Sequence, residues 1–369
     1  DLKITTMKHL QINILVPTLG LTGGVKVILE HANRLAQRGH AITLIYPYIL
    51  PQQANIPTIV MGYLKKIRRK ILHLAKYPEV DWFHVEPTIK IMRVMTLTAS
   101  SIPNADITIA TANETADWLN TYPDSKGKKF YLIQDYENWS RPIDLVDATW
   151  KMPLQKIVIA SWMKDFAQKK FGENVAGVVL NGVDTTTFYC QNSSRPNNPI
   201  KVLMMYHKMP KKGIDDGLAA FQIAKQSHPN ITLEMFGAYH LPPAIKKVVT
   251  NYYYRPSINL LRQLYSNADI FLWPSREEGF GLPPLEAMAC GAAVLSTDTG
   301  AIRDYAVDNI STLIVPPNQP DLLAQKLIQL IDNSDLRLSL GQAASEMAKK
   351  FDWEESTTQL ENILMRGQY

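Results

Sequence analysis

Short apolar segments alternate with amphipathic segments along almost the whole chain. Residues 11–17 (QINILVP) form the first apolar segment and residues 41–47 (AITLIYP) the second. Between them, apolar residues recur at the spacing of one helical face, and Gly39 is placed to end that helix. Strand, helix and strand in this order predict a βαβ unit, and therefore a parallel sheet.

The alternation repeats often enough to fill two domains. Further strands are predicted at 105–112, 129–134, 156–161, 177–184, 201–206, 231–237, 268–275, 292–297 and 311–316. A segment rich in Ser, Asn and Pro at 185–199 interrupts the pattern, as a linker would. A chain of 369 residues also exceeds what one core usually supports. We therefore predict an α/β fold of two Rossmann-like, doubly wound parallel-sheet domains, 1–185 and 186–350, with ligands bound at the carboxyl ends of strands and in the cleft between the domains.

Composition narrows the class of protein. The net charge of +5, from 39 basic and 34 acidic residues, gives no reason to expect nucleic acid as a partner. Two cysteines, Cys190 and Cys290, cannot form a disulfide framework, which is typical of a reducing compartment. No apolar run reaches the roughly 18 residues of a membrane span, and the first residues lack the apolar core of a signal peptide. We expect a cytoplasmic location.

One segment carries most of the local positive charge. Residues 63–77 (YLKKIRRKILHLAKY) place six basic residues beside an apolar helical face. Such a helix can lie on the anionic inner face of a membrane, which would suit a lipid-linked acceptor. An ordinary surface helix with a solvated charged side explains the pattern as well.

The densest chemistry lies at residues 275–291 (SREEGFGLPPLEAMACG). A buried strand precedes this segment, Gly279 and Gly281 permit a tight turn, and the following Pro-Pro pair suits the first turn of a helix. Backbone N–H groups at a helix start bind anions, most naturally a phosphate. Glu278 and Glu286 flank this turn and can accept hydrogen bonds from hydroxyl groups on either side. The segment therefore predicts a site for a nucleotide sugar.

These residues also resemble a known family. EEGFGLPPLEAMACG (277–291) resembles the E-x7-E signature of the retaining glycosyltransferases of family 4, which have the GT-B fold. Further segments resemble the family in the same order: 158–166, 180–188, 211–221, 261–275 and 351–356. The resemblance covers most of 155–369 and, more weakly, 11–45. It implies that the C-terminal helix 351–369 crosses back onto the N-terminal, acceptor-binding domain, and that 186–350 binds the donor.

The resemblance also implies roles for individual residues. Glu278 would contact hydroxyls of the donor sugar, Glu286 the ribose, and Lys212 the diphosphate leaving group. The backbone of Gly279, Phe280, Gly281 and Leu282 would bind the diphosphate. Gly23 and Gly24, in the first turn of the chain, would let the N-terminal domain approach the donor closely.

The chain departs from the family pattern at two places. An Arg is usual shortly before the Lys of the donor site, but here that stretch holds His207 and Lys208, which we take as donor-binding candidates. Many members also carry a His in the first domain, where this chain reads QDYE (134–137). Asp135 or Tyr136 is expected to substitute, and Asp135 is our third catalytic candidate beside Glu278 and Lys212. QDYE also faintly resembles bacterial polysaccharide rhamnosyltransferases.

The predicted activity is transfer of a sugar from a nucleoside-diphosphate sugar to a hydroxyl of a glycan or lipid-linked acceptor, with retention of configuration. No cofactor is expected, because the nucleotide sugar is the donor substrate. No metal is expected either, since the sequence has no Asp-x-Asp and no His-x-x-x-His spacing. The alternatives are a non-catalytic nucleotide-sugar or glycan-binding subunit, and a GT-B epimerase or phosphorylase. A nicotinamide oxidoreductase is disfavoured because the first turn lacks Gly-x-Gly-x-x-Gly.

Overall fold

The computed structural model describes residues 9–49, 80–190 and 199–366. The basic segment 63–77 lies outside these ranges, so the prediction made for it has no structural counterpart here. The chain divides into two compact units. Unit 1 comprises residues 1–179 together with 357–369, and unit 2 comprises residues 180–356.

Unit 1 is built on a seven-stranded sheet in the order β3-β2-β1-β4-β5-β6-β7, and every pairing in it is parallel. Its strands are β1 Gln11–Leu15, β2 Ala41–Pro47, β3 Lys90–Val94, β4 Ile107–Ala110, β5 Lys128–Ile133, β6 Gln155–Val158 and β7 Gly177–Val178. The order reverses between β1 and β4. In such sheets a crevice for ligands opens at the carboxyl ends of the strands where the order reverses.

The helices of unit 1 connect these strands. They are Gly23–Gln37, Asn113–Asn120, Ile143–Trp150 and Ser161–Phe166, with short turns of other helix types at Ala99–Ser101, Asp124–Lys126 and Ala167–Phe171. The first helix starts where Thr22 caps it, since Thr22 Oγ1 accepts the Val25 N–H at 3.2 Å. Gly39, at φ 92°, follows the helix end as predicted.

The C-terminal helix, Trp353–Met365, joins unit 1 through its second half. Thr357 Oγ1 lies 2.9 Å from Nδ1 of the buried His31. Glu361 receives bonds from Arg38 at 2.6 Å and from His40 at 2.9 Å. Burial lowers the pKa of His31 to about 3, with help from Arg34 and Arg38, so this histidine is a neutral core residue at neutral pH.

Unit 2 repeats the architecture with a six-stranded, all-parallel sheet in the order β10-β9-β8-β11-β12-β13. Its strands are β8 Lys201–Tyr206, β9 Thr232–Gly237, β10 Asn251–Tyr254, β11 Ile270–Trp273, β12 Ala293–Thr297 and β13 Leu313–Val315. Its helices are Ile214–Ser227, Pro243–Lys246, Ile258–Asn267, Leu282–Ala289, Ile302–Tyr305, Pro320–Asp332 and Ser334–Ala348, with a 3₁₀ turn at Pro210–Lys212. The order reverses between β8 and β11.

The predicted α/β class of two doubly wound parallel-sheet domains is confirmed. The core of unit 2 forms where the apolar faces of Ile214–Ser227 and Pro320–Asp332 pack on its sheet, around fully buried residues such as Leu233 and Leu272. Two strands were not predicted, β3 and β10, and both lie at a sheet edge.

The junction between the predicted domains differs from the expected strand and linker. The strand predicted at 177–184 is reduced to the two residues of β7, because the chain then leaves the sheet. Phe188 is buried, and the carbonyl of Tyr189 accepts a bond from Ser266 at 3.2 Å, so the first part of the predicted linker packs on unit 2. In the described ranges, no helix combines the length and the apolar character needed to cross a bilayer.

Candidate functional site

The loop after β11 and the turn after β8 meet at the reversal point of the unit 2 sheet. Nζ of Lys212 lies 2.6 Å from Oε1 of Glu278, and both side chains are largely buried. The hydroxyl of Ser275 donates to the same oxygen at 2.8 Å. The Glu278 carboxylate is thus held by a cation and a hydroxyl, which fixes its position at the edge where ligands bind.

Gly213 allows this meeting. It follows the turn that carries Lys212 and has φ 61°, in the left-handed region that favours glycine. A Cβ at this position would lie 2.0 Å from the carbonyl oxygen of Pro274. The carbonyl of Lys211 also accepts the N–H of Arg276 at 2.7 Å. The two loops are therefore joined by main-chain contacts that leave no room for a side chain.

The Gly-rich turn leads into a helix, as predicted. Gly281, at φ 91°, precedes the helix Leu282–Ala289, and its carbonyl accepts a bond from the buried Tyr305 hydroxyl at 2.8 Å. The carbonyl of Phe280 accepts the N–H of Ala301 at 3.0 Å. A Cβ on Gly300 would lie 2.7 Å from Cβ of Glu278. The loop after β12 therefore packs against the predicted diphosphate-binding turn.

Glu286 lies one helical turn beyond this loop. It is only 6% exposed, and its Oε2 accepts a bond from the Tyr265 hydroxyl at 3.1 Å. Burial, with Glu286 next to it, raises the pKa of Tyr265 well above its usual value, so Tyr265 remains a donor. A buried carboxyl with a fixed donor has the pre-organisation that a hydroxyl-binding residue needs.

His207 and Lys208 follow β8 and face an aromatic side chain. The ring of His207 packs edge-on against Tyr239 at 4.9 Å, and Nζ of Lys208 lies 4.8 Å from the centre of the same ring. Burial, together with Lys212, Lys208 and Lys211, lowers the pKa of His207 to about 4. At neutral pH His207 is therefore uncharged, and the cations beside it are lysines.

Arg276 lies in the same loop as Glu278 but pairs with a different residue. Its guanidinium forms two bonds of 2.8 Å to Asp216, in the first turn of the helix Ile214–Ser227. This bidentate pair ties the Glu278 loop to the helix that follows Lys212. Sequence reasoning missed the pair because nothing in the local pattern relates the two residues.

In unit 1 the predicted donor-binding glycines lie beside the end of β5. A Cβ on Gly24 would lie 3.4 Å from the side-chain amide of Gln134, whereas a Cβ on Gly23 would meet nothing within 4 Å. Asp135 is the next residue, and its Oδ1 accepts the N–H of Tyr136 at 2.8 Å. Gln134 is thus the neighbour of the first turn, a contact that the sequence did not indicate.

The hydroxyl of Tyr136 is bonded to other residues of unit 1. The hydroxyl bonds to Asp147 and to Lys170, and the ring packs among Trp150 and Phe166. Tyr136 therefore packs within unit 1, and the substitution of the family histidine by Asp135 or Tyr136 stays a prediction.

Glu137 was not predicted as a site residue, yet its carboxyl has the most strongly shifted pKa of this loop. Its backbone adopts φ 57°, and its Oε2 accepts both the N–H and the side-chain amide of Asn113 at 2.8 Å. Burial raises the pKa of Glu137 to about 8, and the nearby carboxylates of Glu114 and Asp135 add to the rise against the bonds from Asn113. A strained, protonated carboxyl at the carboxyl edge of a sheet marks a candidate functional residue.

Across the described residues, no group of three or more His, Cys, Asp or Glu side chains could hold a metal ion.

Comparison with known proteins adds the family context. Residues 186–347 match the family model described as "Glycosyl transferases group 1". The match covers most of unit 2, including Lys212, Glu278 and Glu286.

Two curated relatives are glycosyltransferases. A D-inositol 3-phosphate glycosyltransferase of Corynebacterium aurimucosum is 36% identical over 119 residues, which cover 32% of this chain and 28% of that protein. An O-antigen chain mannosyltransferase B of Escherichia coli is 35% identical over 102 residues, covering 28% of this chain and 26% of that protein. Each similarity thus spans less than a third of the relative.

A solved structure is similar over nearly the whole chain. Anabaena HepE, in complex with UDP-glucose, superposes with a TM-score of 0.72 over 96% of this chain and 99% of that one, at 15% identity. At this identity the likeness concerns the fold. The predicted fold class, GT-B with two Rossmann-like units, is confirmed.

Proposed function

We propose that the chain is a retaining, metal-independent glycosyltransferase of family 4. It transfers a sugar from a nucleoside-diphosphate sugar to a hydroxyl of a glycan or lipid-linked acceptor in polysaccharide biosynthesis. One observation carries the proposal, namely the bond between Lys212 and Glu278 beside the Gly281 turn, inside the segment that matches the group 1 model. A cation, a fixed carboxylate and a helix start together are what a nucleotide sugar requires.

The chemistry assigned to these groups follows from charge. Breaking the sugar–phosphate bond leaves negative charge on the diphosphate, and Lys212 with Lys208 would neutralise it. Glu278 would bind donor-sugar hydroxyls and Glu286 the ribose. Because no carboxylate nucleophile is evident among the described residues, we favour a mechanism in which the leaving phosphate oxygen takes the proton of the acceptor hydroxyl on the same face of the sugar. A rhamnosyl donor is one candidate, on the QDYE motif alone.

The names of the similar proteins support the proposed classes of donor and acceptor. The matched proteins act, by their names, on an inositol phosphate and on an O-antigen chain, and HepE binds UDP-glucose. We infer a nucleotide-sugar donor and a hydroxyl-bearing acceptor for this chain. If the acceptor is lipid-linked, the enzyme would act at the inner face of the membrane. The basic segment 63–77 would then bind the membrane surface.

Calorimetric titration of UDP, GDP, dTDP and ADP, with and without EDTA, tests the donor site. We expect one nucleotide to bind irrespective of EDTA, and Glu286→Ala to weaken it by at least tenfold. Glu277→Gln is the matched control, because Glu277 is exposed beside the site. NMR of the product anomer then tests retention. Binding of no nucleotide would refute the proposal, whereas nucleotide binding without any transfer would favour the non-catalytic subunit.

A further inference from the structure

The loop 134–142 of unit 1 is joined to the helix Asn113–Asn120 by several hydrogen bonds and an ion pair. Besides the two bonds from Asn113 to Glu137, the Asn113 side-chain amide donates to Ser140 Oγ at 2.7 Å. Arg141 bonds to Asp117 and, at 3.4 Å, to the carbonyl of Asn113. These bonds tie the loop to the helix, and Glu137, which makes two of them, has a positive φ.

This fastening uses only one of the two carboxyl oxygens of Glu137. Oε2 accepts both bonds from Asn113, and the structure gives Oε1 no partner among the described residues. The side chain is partly exposed. One oxygen is thus anchored and the other has no partner among the described residues, in the loop that follows β5 at the carboxyl edge of the sheet.

Two residues further along the loop, Trp139 exposes 55% of its surface. Aromatic rings offer an apolar face of the size of a sugar ring, and sugars expose C–H groups that pack on such faces. A fixed carboxyl oxygen and an exposed indole in one rigid loop are complementary to a ligand that has both hydroxyl groups and an apolar ring face.

Local charge selects the kind of sugar. The titratable groups around Glu137 are Glu114 and Asp117 on the helix, Asp135 and Arg141 on the loop, and Tyr131 on β5. Arg141 pairs with Asp117, whereas the carboxylates of Glu114 and Asp135 act on Glu137 as negative charges that raise its pKa. A phosphate or a uronic acid would meet repulsion here, whereas a neutral sugar would not.

We propose that the loop 134–142 is an acceptor subsite in which Oε1 of Glu137 exchanges a hydrogen bond with a hydroxyl of a neutral sugar unit that packs on Trp139. The proposal rests on the proposed function, since the sugar is taken to belong to the acceptor. As a protonated carboxyl, Glu137 donates this bond at neutral pH, and it loses that ability as pH rises through its pKa of about 8.

The test uses saturation-transfer difference NMR on the full chain with methyl glycosides of glucose, galactose, mannose and rhamnose as probes. We expect at least one to bind, and Glu137→Ala and Trp139→Ala each to raise its Kd by about 3- to 10-fold, the loss of one hydrogen bond or ring contact. Ile143→Ala and Leu145→Ala, at exposed positions on the helix that follows the loop, should leave the Kd unchanged.

Charge and pH supply a readout that a structural role would not give. Methyl glucuronoside should bind more weakly than methyl glucoside. Wild-type affinity should change as pH passes through about 8, because Glu137 donates the bond as an acid and accepts it as a carboxylate, while Glu137→Gln, which cannot ionise, should show no such change.

Wild-type affinity for Glu137→Ala and Trp139→Ala, or equal binding of the glucuronoside, would overturn the proposal. So would binding of no neutral glycoside by a chain that still binds nucleotide. Calorimetry of the nucleotide on the same variants separates the two proposals, because failure of the donor site would show there and leave the glycoside result intact.

Discussion

The carboxylate of Glu278 and the ammonium group of Lys212, 66 residues apart in the chain, lie 2.6 Å from each other. Their pairing joins the two loops at the reversal point of the unit 2 sheet. In the proposed reaction the diphosphate would compete with Glu278 for Lys212, and Glu278 would turn to the sugar hydroxyls. The ion pair therefore keeps both charges satisfied before the donor arrives.

Replacing Lys212 by Met should remove the cation that faces the leaving group while keeping the length and apolar stem of the side chain. We expect kcat to fall by about 10²- to 10³-fold, as when one donor to a developing charge is removed. Steady-state kinetics with the donor found by calorimetry measures this. Lys211→Met is the matched control because it removes the adjacent charge. Equal losses in the two variants would mean that net charge, not the position of Lys212, matters.

Tyr265→Phe should leave the buried Glu286 without its described hydroxyl donor. Loss of one such hydrogen bond costs about 0.5–1.5 kcal/mol, and affinity for the nucleotide should fall with it. Denaturant unfolding and calorimetry measure both effects. Tyr305→Phe removes a comparable hydroxyl from the Gly281 carbonyl. If Glu286 binds the ribose, wild type should bind a 2′,3′-dideoxynucleotide more weakly than the ordinary nucleotide. This difference in affinity should be small for Tyr265→Phe, whose contact with the ribose is already impaired. It should be as large for Tyr305→Phe as for wild type.

The sequence predicted the central strands well and missed strands at the sheet edges. β11 is entirely buried, so its residues form a continuous apolar run. β3 (KIMRV) and β10 (NYYY) are edge strands with exposed or partly exposed residues, and half-buried short segments carry neither that run nor a clean alternation. An edge strand is identified by its neighbour in the sheet, which a linear pattern does not contain.

The predicted donor-binding residues of unit 2 could be recognised from the sequence because they are local in it. Glu278, Gly281 and Glu286 lie close together in the chain, so spacing alone relates them. The partners that hold them, Ser275 excepted, come from other parts of the chain. Glu137 escaped prediction because its burial and its bonds to Asn113 depend on the adjacency of β4 and β5.

Gly213→Ala should disrupt the site through backbone geometry alone. A left-handed backbone costs a non-glycine residue about 1–2 kcal/mol, and here the new Cβ would also collide with the Pro274 carbonyl at 2.0 Å. Gly172→Ala isolates the first effect, because Gly172 has φ 69° and open space around it. We expect Gly172→Ala to lower stability modestly and to keep nucleotide binding, and Gly213→Ala to lose binding. Normal binding by Gly213→Ala would show that the Lys212 turn tolerates displacement.

The pH dependence of stability should carry the signature of Glu137. Its pKa is raised to about 8 from an ordinary value of 4.5, so between these values the folded state holds a proton that the unfolded state has lost. The stabilisation is complete below the unfolded-state pKa of 4.5 and is lost as pH rises through the folded-state pKa of about 8. Glu137→Gln should remove this slope, so between these two pKa values its melting temperature should fall by several degrees less than that of wild type.

The control for this experiment is Asp165→Asn, which removes an exposed carboxyl elsewhere in unit 1 and should follow the wild-type curve. It separates the effect of Glu137 from that of losing one negative charge. Parallel curves for wild type and Glu137→Gln would mean that Glu137 ionises in the folded chain as it does in water. The loop 134–142 would then present a carboxylate rather than an acid, and its bond to a sugar hydroxyl would be one that it accepts rather than donates.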